Sequence, residues 1–488
     1  MKKLHLTDRI FLESGDCKNL DKTQQYAMLR MFQGQNVFLT GEAGSGKSHV
    51  VKLFLENTRS TVTVIAPTGT AALNINGRTM TNVLMSSPVH FKFKLGNKCK
   101  NSDSIPDKIF VSDIILIDEI SMIRMSEFEI LDKALRKFTG NLDQSFGGKQ
   151  IIVVGDFCQL QPVYERKFEF DYYKRIYGGE YIFQTDMWRD ANFENIFLNT
   201  IHRQNDNSFK EILNELRFGV LTENNFNLLA KRFKPLASPD DKTICLCPTI
   251  KQRDKFNALA FKDNPEPAHT FNRKINGSVL KPNVAPLTVK LKNNQKVMVN
   301  RNIYDGDSLL LVNGDVGVIK NINEDTNAVE IDFSISKEDH KFKRITLFHA
   351  EWSEWANYAE KMKNSKYKHK SAKLGSIRQM PLVSAYALTI HKAQGKTLEK
   401  VHITNDNFFA PYQFYTALSR AKCLDDITLE YPLSPDMISV DYTITEFYQN
   451  LQTANITDFN IKEHIKIENH EIIDLDFVDF YVRYCLNQ

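Results

Sequence analysis

Short, almost wholly apolar runs recur along the chain, and each is followed by a turn or a polar cluster. In the first half they cover residues 36–40, 62–66, 114–117 and 151–154, with helix-like stretches between them. Near-continuous Val, Ile and Leu strands separated by helices are typical of a parallel sheet buried on both faces. Ligands of such sheets bind at the carboxyl ends of the strands. The pattern therefore predicts an α/β fold with its chemistry at these ends.

A second set of apolar runs follows residue 200, at 243–247, 382–387, 401–404 and 427–431. Between its first two members, short alternating segments and the turn dipeptides Asp305-Gly306 and Asn313-Gly314 predict a small β-barrel-like module. The expected organisation is a first α/β lobe over 1–200, a second lobe over 201–264 and 379–440, the inserted module over 265–378, and an acidic extension over 441–488.

A glycine-rich segment separates the first apolar run from a helix-like stretch. It reads Gly-Glu-Ala-Gly-Ser-Gly-Lys-Ser over residues 41–48, in the strand-to-helix context of a phosphate-binding loop. Glycines let backbone N–H groups point inward around a phosphate at the positive end of the helix. Lys47 can reach the β- and γ-phosphates, and the Ser48 hydroxyl can ligate Mg²⁺. The sequence thus predicts ATP binding by Gly41, Ala43, Gly44, Ser45, Gly46, Lys47 and Ser48.

Two carboxylates end the apolar run 114–117. Asp118 is suited to hold Mg²⁺, and Glu119 to orient and deprotonate an attacking water. Gln159, in the polar turn after the run 151–154, is suited to sense the γ-phosphate by hydrogen bonding. By itself, an Asp-Glu pair at a strand end is as often a solvent-exposed strand end as a catalytic site. Likewise, a polar turn before a proline can be purely structural. The phosphate-binding loop upstream favours the catalytic interpretation.

Composition narrows the class of protein. A chain of 488 residues predicts several domains, and a net charge of only +4 means that contact with a polyanion must come from a local basic surface. Seven scattered cysteines favour a reducing compartment. Without a signal-peptide core or an apolar run of membrane-spanning length, we expect an intracellular protein of the cytoplasm or nucleus, with no membrane partner. Richness in Lys, Asn, Ile and Phe is compatible with a viral origin.

The order of the polar segments resembles superfamily-one helicases, in the branch that includes RecD and the Pif family, with the closer likeness to Pif. It spans about residues 20–432 and rests on Leu20-Asp-Lys-Thr-Gln24, Ala66-Pro-Thr-Gly-Thr, Asp118-Glu-Ile-Ser-Met122, Gly155-Asp-Phe-Cys-Gln159-Leu, Leu198-Asn-Thr-Ile-His-Arg203-Gln204, Thr389-Ile-His391-Lys-Ala-Gln394-Gly395 and Tyr415-Thr-Ala-Leu-Ser419-Arg420. The resemblance implies two RecA-like P-loop lobes with parallel sheets, a small wedge insertion at about 82–110 and an SH3-like β-barrel insertion.

The same resemblance assigns residues around the nucleotide. It implies adenine recognition by Gln24, a nucleotide contact at Gly395, and two arginines, Arg203 and Arg420, that reach the γ-phosphate. A planar guanidinium suits this role because it can pair with several phosphate oxygens as charge develops.

In the family, single-stranded DNA crosses the tops of both lobes, and Pro67, Thr68, Thr389 and His391 match positions near its backbone or bases. Phe91 or Phe93, in an alternating apolar and basic segment, is predicted to stack on a base at the single-strand/duplex fork, although a small packed hairpin fits equally well. Aromatics and lysines over 352–373 suggest a basic loop over the DNA channel, with a solvated charge run as the alternative.

The resemblance implies an ATP-dependent DNA helicase that moves 5′ to 3′ on single-stranded DNA and unwinds duplex, in replication, repair or recombination. The main alternative is a translocase that remodels protein–DNA complexes without separating strands. A nucleotide-gated binding module is disfavoured by the full set of catalytic residue types, and a nuclease component by the lack of a carboxylate cluster in the sequence. The acidic extension is expected to pack as a helix on the second lobe, or to dock a protein partner.

Overall fold

The computed structural model describes residues 6–75, 77–84, 111–162, 164, 167–204, 206–236, 243–278, 285–306, 308–311, 313–336, 341–361, 367–456, 459 and 461. The chain forms two compact units. The first comprises Met1–Phe226, Ala410–Leu424 and Ile438–Gln488, and the second comprises Asn227–Phe409 and Asp425–Met437. Residues 410–424, which fall within the predicted second lobe, are thus grouped with the first unit. The bounds of the two lobes stay a prediction. No helix in the described part of the chain is long and apolar enough to cross a membrane.

The first unit is built on a six-stranded parallel sheet. Its strands are β1 (Val37–Gly41), β2 (Val62–Ala66), β3 (Arg78–Thr79), β4 (Ile114–Ile117), β5 (Gln150–Val154) and β6 (Glu194–Leu198). They lie in the order β3-β2-β4-β5-β1-β6, and every neighbouring pair is parallel. All residues of β1 and β4 are buried, and their sequences are apolar apart from Thr40 and Gly41 at the end of β1. The predicted parallel-sheet α/β core is confirmed here.

Helices cover this sheet and bring distant segments to it. Those of the first unit are Leu6–Glu13, Gly15–Lys18, Lys22–Phe32, Lys47–Asn57, Gly69–Asn74, Met80–Leu84, Met125–Thr139, Lys167–Tyr177, Asp186–Asp190, Asn207–Arg217, Gln413–Leu418 and Tyr442–Asn450. The helix Lys22–Phe32 begins with a capping box, because Asp21 Oδ1 accepts from the Gln24 N–H at 2.9 Å while Gln24 Oε1 accepts from the Asp21 N–H at 3.3 Å.

The second unit is richer in strands. They are β7 (Thr243–Cys247), β8 (His269–Asn272), β9 (Lys274–Gly277), β10 (Thr288–Leu291), β11 (Lys296–Val299), β12 (Ile303–Asp305), β13 (Ser308–Leu311), β14 (Val316–Asn323), β15 (Ala328–Ser336), β16 (Lys341–Leu347), β17 (Ala350–Lys361), β18 (Tyr367–Gln379), β19 (Leu382–Ser384), β20 (Ala387–Thr389), β21 (Lys400–Ile403) and β22 (Ile427–Leu429). Its helices are Ile250–Asp263 and Ile390–Ala393, while Glu223–Ala230 contains the boundary of the two units.

A second parallel sheet has the strand order β20-β7-β21-β22. The run 382–387, predicted as one of its strands, is divided instead. Its first part, β19, pairs antiparallel with β11, and only β20 joins the parallel sheet. The division occurs where the amide oxygen of Asn257 accepts from the N–H groups of Tyr386 at 3.1 Å and Ala387 at 3.0 Å. A side chain thus satisfies the backbone where the chain changes sheets, which an apolar run cannot reveal.

The inserted region forms antiparallel sheets, including a five-stranded one in the order β16-β15-β14-β11-β19. Strand β10 shows the expected period of two, because Val289 and Leu291 are buried while Thr288 and Lys290 are exposed. These strands agree with the predicted β-rich texture, and the closed SH3-like barrel stays a prediction. Residues 85–110 of the predicted wedge lie outside the described residues.

Candidate nucleotide and nucleic-acid sites

The glycine-rich loop follows β1 and leads into the helix Lys47–Asn57. Gly44 and Gly46 have φ values of +89° and +85°, in the left-handed region that favours glycine. Both also lie close to other side chains, since a Cβ on Gly44 would come within 2.6 Å of Gln204 Oε1, and one on Gly46 within 2.6 Å of Gln24 Nε2. The loop therefore has the tight backbone that a phosphate cradle needs.

Lys47 fills the inside of this loop. Its ammonium group donates to the carbonyl oxygens of Gly41 at 2.7 Å and Glu42 at 2.8 Å. Burial lowers the pKa of Lys47 to about 8, against the opposing negative charges of Asp156 and Glu119. An anionic phosphate would favour the charged ammonium, so this position is suited to a nucleotide.

Two further segments close over the loop. The side-chain amide of Gln24 donates to the Ser45 carbonyl at 3.3 Å, and the His202 N–H donates to the Gly44 carbonyl at 2.9 Å. Ser45 Oγ is buried, and among the described residues it has no hydrogen-bond partner. A buried hydroxyl without a partner inside a glycine-rich loop fits a site that is completed by a ligand.

Asp118 and Glu119 follow β4 directly. The Asp118 N–H donates to the Ile65 carbonyl at 2.8 Å, and Asp118 Oδ1 accepts from the Glu119 N–H at 2.9 Å. Glu119 has a φ of +51° and so turns the chain away from the strand. Burial, together with the charge of Glu119, raises the pKa of Asp118 to about 7. A divalent cation would stabilise the ionised form of both carboxylates.

At this edge of the sheet the protein offers only part of the ligand set of a magnesium ion, and nucleotide phosphates would have to supply more. Among the described residues, no group of three or more His, Cys, Asp and Glu side chains could hold a metal. Ser48 and Asp118 offer one hydroxyl and one carboxylate, which are the hard oxygen ligands that Mg²⁺ prefers. Mg²⁺ commonly completes its coordination with waters and substrate phosphates.

Two arginines lie in the same unit. Arg203 Nη1 donates to the Ser419 carbonyl at 3.3 Å, whereas Arg420 Nε donates to the Thr416 carbonyl at 2.9 Å. Arg420 Nη2 lies 3.5 Å from Gln159 Oε1. Burial lowers the pKa of Arg203, and burial with repulsion from Arg203 lowers that of Arg420 to about 10. Two guanidinium groups that destabilise each other are suited to bind a multiply charged anion.

A buried ion pair that the sequence did not predict lies next to these groups. Arg217 Nη2 lies 3.1 Å from Asp156 Oδ1, and the two side chains are 1% and 0% exposed. Burial alone would raise the pKa of Asp156, but the charges of Arg217 and Lys47 and the Cys158 N–H hold it below its usual value. Asp156 stood inside a recognised motif, but Arg217 carried no signal beyond its place at the end of an amphipathic helix.

Tyr448 connects this ion pair to the nucleotide site, which was also missed. Its hydroxyl donates to Asp156 Oδ1 at 3.2 Å, accepts from the Phe157 N–H at 3.0 Å and hydrogen-bonds with Thr40 Oγ1 at 2.9 Å. The guanidinium carbon of Arg217 lies 4.5 Å from the centre of the Tyr448 ring. Thr40 immediately precedes the glycine-rich loop, so this tyrosine joins the end of β1 to the turn after β5.

Part of the extension that begins at 441 packs in the core of the first unit. Its helix Tyr442–Asn450 belongs to the first unit, where Phe447 stacks on Phe183 with ring centroids 4.1 Å apart. Residues 462–488 of the extension, which we expected to pack as a helix on the second lobe or to dock a protein partner, lie outside the described residues.

Removing only the hydroxyl of Tyr448 is expected to destabilise the protein by about 1–3 kcal/mol, because buried polar partners lose a hydrogen bond. The variant is Tyr448→Phe, and the measurement is urea denaturation. Tyr442→Phe is the matched control on the same helix, since Tyr442 is 84% exposed and its variant should stay within about 0.5 kcal/mol of the parent. Equal effects of the two substitutions would contradict the role assigned to Tyr448.

The predicted DNA contacts of the second unit lie at the carboxyl edge of its parallel sheet. Thr389 ends β20 and precedes the helix Ile390–Ala393, which contains His391. Burial lowers the pKa of His391. Gly395 follows with a φ of +76°.

In the first unit, Pro67 and Thr68 follow β2, and Thr68 Oγ1 accepts from the Ala71 N–H at 3.2 Å. Phe91 and Phe93 lie outside the described residues. The first unit therefore brings together most of the predicted nucleotide residues, namely Gln24, Gly41, Ala43, Gly44, Ser45, Gly46, Lys47, Ser48, Asp118, Glu119, Gln159, Arg203 and Arg420.

Comparison with known proteins gives consistent matches. A PIF1-like helicase family model matches residues 20–225, and a UvrD-like helicase C-terminal domain model matches residues 384–424. ATP-dependent DNA helicase PIF1 of Emericella nidulans is 29% identical in sequence, and the match covers 87% of this chain but only 62% of that relative. Pif1 of Campylobacter jejuni is 27% identical, with coverage of 88% and 97%. The crystal structure of Bacteroides Pif1 bound to single-stranded DNA matches with a TM-score of 0.71 at 27% identity, covering 88% of this chain and 96% of that one.

Proposed function

We propose that this chain, like the Pif1 helicases that it matches, is an ATP-dependent DNA helicase that moves 5′ to 3′ along single-stranded DNA and unwinds duplex. The observation that carries the proposal is the gathering of a glycine-rich loop, two carboxylates and two arginines in one unit, although they come from both ends of the chain. The polarity rests on the family resemblance. Strand separation of this kind serves DNA replication, repair or recombination.

In the proposed reaction, Lys47 leaves the carbonyls of the loop and binds the β- and γ-phosphates. Glu119 orients the attacking water and accepts its proton, while Arg203 and Arg420 pair with the γ-phosphate oxygens as charge develops. Gln159, whose side chain lies 3.5 Å from both Arg420 and Asp156, would respond to the γ-phosphate. Ser48 and Asp118 would hold Mg²⁺, which when bound neutralises charge on the phosphate oxygens.

DNA binding is proposed at the strand ends of both units. Pro67 and Thr68 follow β2, whereas Thr389 and His391 follow the second parallel sheet. Hydroxyl and backbone N–H groups can contact phosphates without reading sequence, as a helicase requires. We further propose that Phe91 or Phe93 stacks on a base at the fork and that the basic segment 352–373 lies over the DNA channel. The rest of the extension is proposed to dock a protein partner.

One strand-displacement assay tests the function and its polarity. Two labelled duplexes, one with a 5′ single-stranded tail and one with a 3′ tail, are incubated with the full chain with and without ATP. We expect ATP-dependent displacement of the 5′-tailed duplex alone, and no displacement by Lys47→Ala. Preference for the 3′ tail would overturn the polarity. ATP hydrolysis stimulated by DNA without displacement of either duplex would instead favour the translocase.

A further inference from the structure

Phe409 is a large aromatic side chain that remains 63% exposed on the second unit. It lies after β21, and its ring is nearly parallel to the imidazole of His391, with an interplanar angle of 8° and ring centroids 6.2 Å apart. His391 follows β20. Since β20 and β21 both run parallel to β7, the two rings lie at the carboxyl edge of this sheet, where α/β folds bind their ligands.

The segment that carries Phe409 is anchored just before this residue. The Asn405 amide donates to the Tyr431 carbonyl at 2.9 Å, and its oxygen accepts from the Tyr431 N–H at 2.8 Å. The Gln252 amide donates to the backbone carbonyl of Asp406 at 3.3 Å and also to its carboxylate. The exposed ring is therefore displayed by a fixed backbone.

The partner ring is suited to support an aromatic surface. Burial lowers the pKa of His391 and so favours the uncharged form of its imidazole. Two flat and nearly parallel rings, one of them largely exposed, form a surface on which a nucleobase can stack without sequence preference.

Cations lie at the same edge of the sheet. Lys392, next to His391 in the chain, lines a cavity of about 280 Å³ together with Arg253, Asp254 and Lys290, and Arg253 pairs with Asp254 at 2.6 Å. Burial and then the charge of Arg253 lower the pKa of Lys392. An anion in this cavity would relieve the repulsion between these groups, as the phosphates of a nucleic acid backbone can.

We propose that Phe409, supported by His391, is a base-stacking residue for single-stranded DNA, with Lys392 and Arg253 binding the adjacent phosphates. This inference rests on the proposed function, because it takes DNA as the ligand. The combination of an exposed aromatic ring with neighbouring cations distinguishes a nucleic acid from an apolar protein segment, which has no charge to offer the cations.

The test compares two oligonucleotides of equal length, one of thymidines and one that carries abasic sites throughout. Their affinities for the full chain and for Phe409→Ala are measured by fluorescence anisotropy. Loss of one stacked base predicts about 5- to 150-fold weaker binding of the thymidine strand by Phe409→Ala. The abasic strand should bind both proteins equally, and Phe409→Trp should restore affinity for thymidine. Phe348→Ala, at a phenylalanine of the same unit that is 56% exposed, is the matched control and should bind like the parent.

Equal weakening on both oligonucleotides would overturn the stacking role, because the ring would then act through the backbone or through folding. If Phe409→Ala bound the thymidine strand as tightly as the parent, the stacking role would also be overturned. An apolar protein segment would then be the favoured ligand of this surface. These failures are distinct from failure of the proposed function, in which the parent chain itself would bind no single-stranded DNA and displace no strand.

Discussion

Glu119→Gln is expected to bind ATP as tightly as the parent and to hydrolyse it about 100- to 10,000-fold more slowly. The amide keeps the size of the side chain, and it leaves the glycine-rich loop and Lys47 unchanged, but it cannot accept a proton from the attacking water. The measurements are kcat for ATP hydrolysis in the presence of an oligonucleotide, and the Kd of a fluorescent ATP analogue.

Two further variants serve as controls for Glu119→Gln. Lys47→Ala should lose both nucleotide affinity and turnover, since the ammonium that reaches the phosphates is gone. Glu56→Gln alters an exposed glutamate on the helix that follows the loop, where it pairs with Lys52 at 3.8 Å, and should behave like the parent. Turnover at the parent rate in Glu119→Gln would exclude Glu119 as the general base.

Arg217→Met is expected to have the largest effect on stability, a loss of about 3–5 kcal/mol in the free energy of unfolding. Methionine fills most of the volume but leaves Asp156 as a buried charge without its cation. The arginine is 1% exposed, so water cannot take over the role of the guanidinium group. Urea denaturation followed by circular dichroism at pH 7 measures the loss.

The pH dependence gives an independent check on this prediction. In the parent, the lowered pKa of Asp156 means that its stabilising contribution is present at neutral pH and is lost as pH falls through the folded-state value. Without Arg217, burial should raise the pKa of Asp156, so mild acid protonates it and removes the buried charge. The stability difference between variant and parent should therefore narrow from pH 7 to pH 5.

A matched control is Arg189→Met, at a surface arginine of the same unit that is 62% exposed and pairs with Asp186. An exposed pair of this kind contributes about 0–1 kcal/mol, so the control should be nearly neutral. A similarly small effect of Arg217→Met would show that the ion pair does not stabilise the fold.

Much of the architecture follows from local sequence patterns. The buried strands β1, β2, β4 and β5 coincide closely with apolar runs, because a strand covered on both faces needs apolar side chains at every position. The glycine-rich loop was equally predictable, since its left-handed residues require glycine. The run 382–387 shows the limit of such prediction, because an apolar run is compatible with both an antiparallel and a parallel strand. Here it is divided into β19 and β20 at the point where the side chain of Asn257 accepts hydrogen bonds from the backbone.

The chemical groups of the site, and the strand ends that carry them, could be predicted from local sequence, because the loop and the Asp-Glu pair are contiguous motifs with local geometry. Which distant groups meet depends on how the whole chain packs. Arg203 contacts Ser419 across 216 positions, and Tyr448 reaches Asp156 across 292. A buried polar network leaves no periodic pattern in the chain, since each member is a single residue whose partner is chosen by packing. The strands could therefore be predicted from the sequence, whereas the hydrogen bonds that fix the nucleotide site could not.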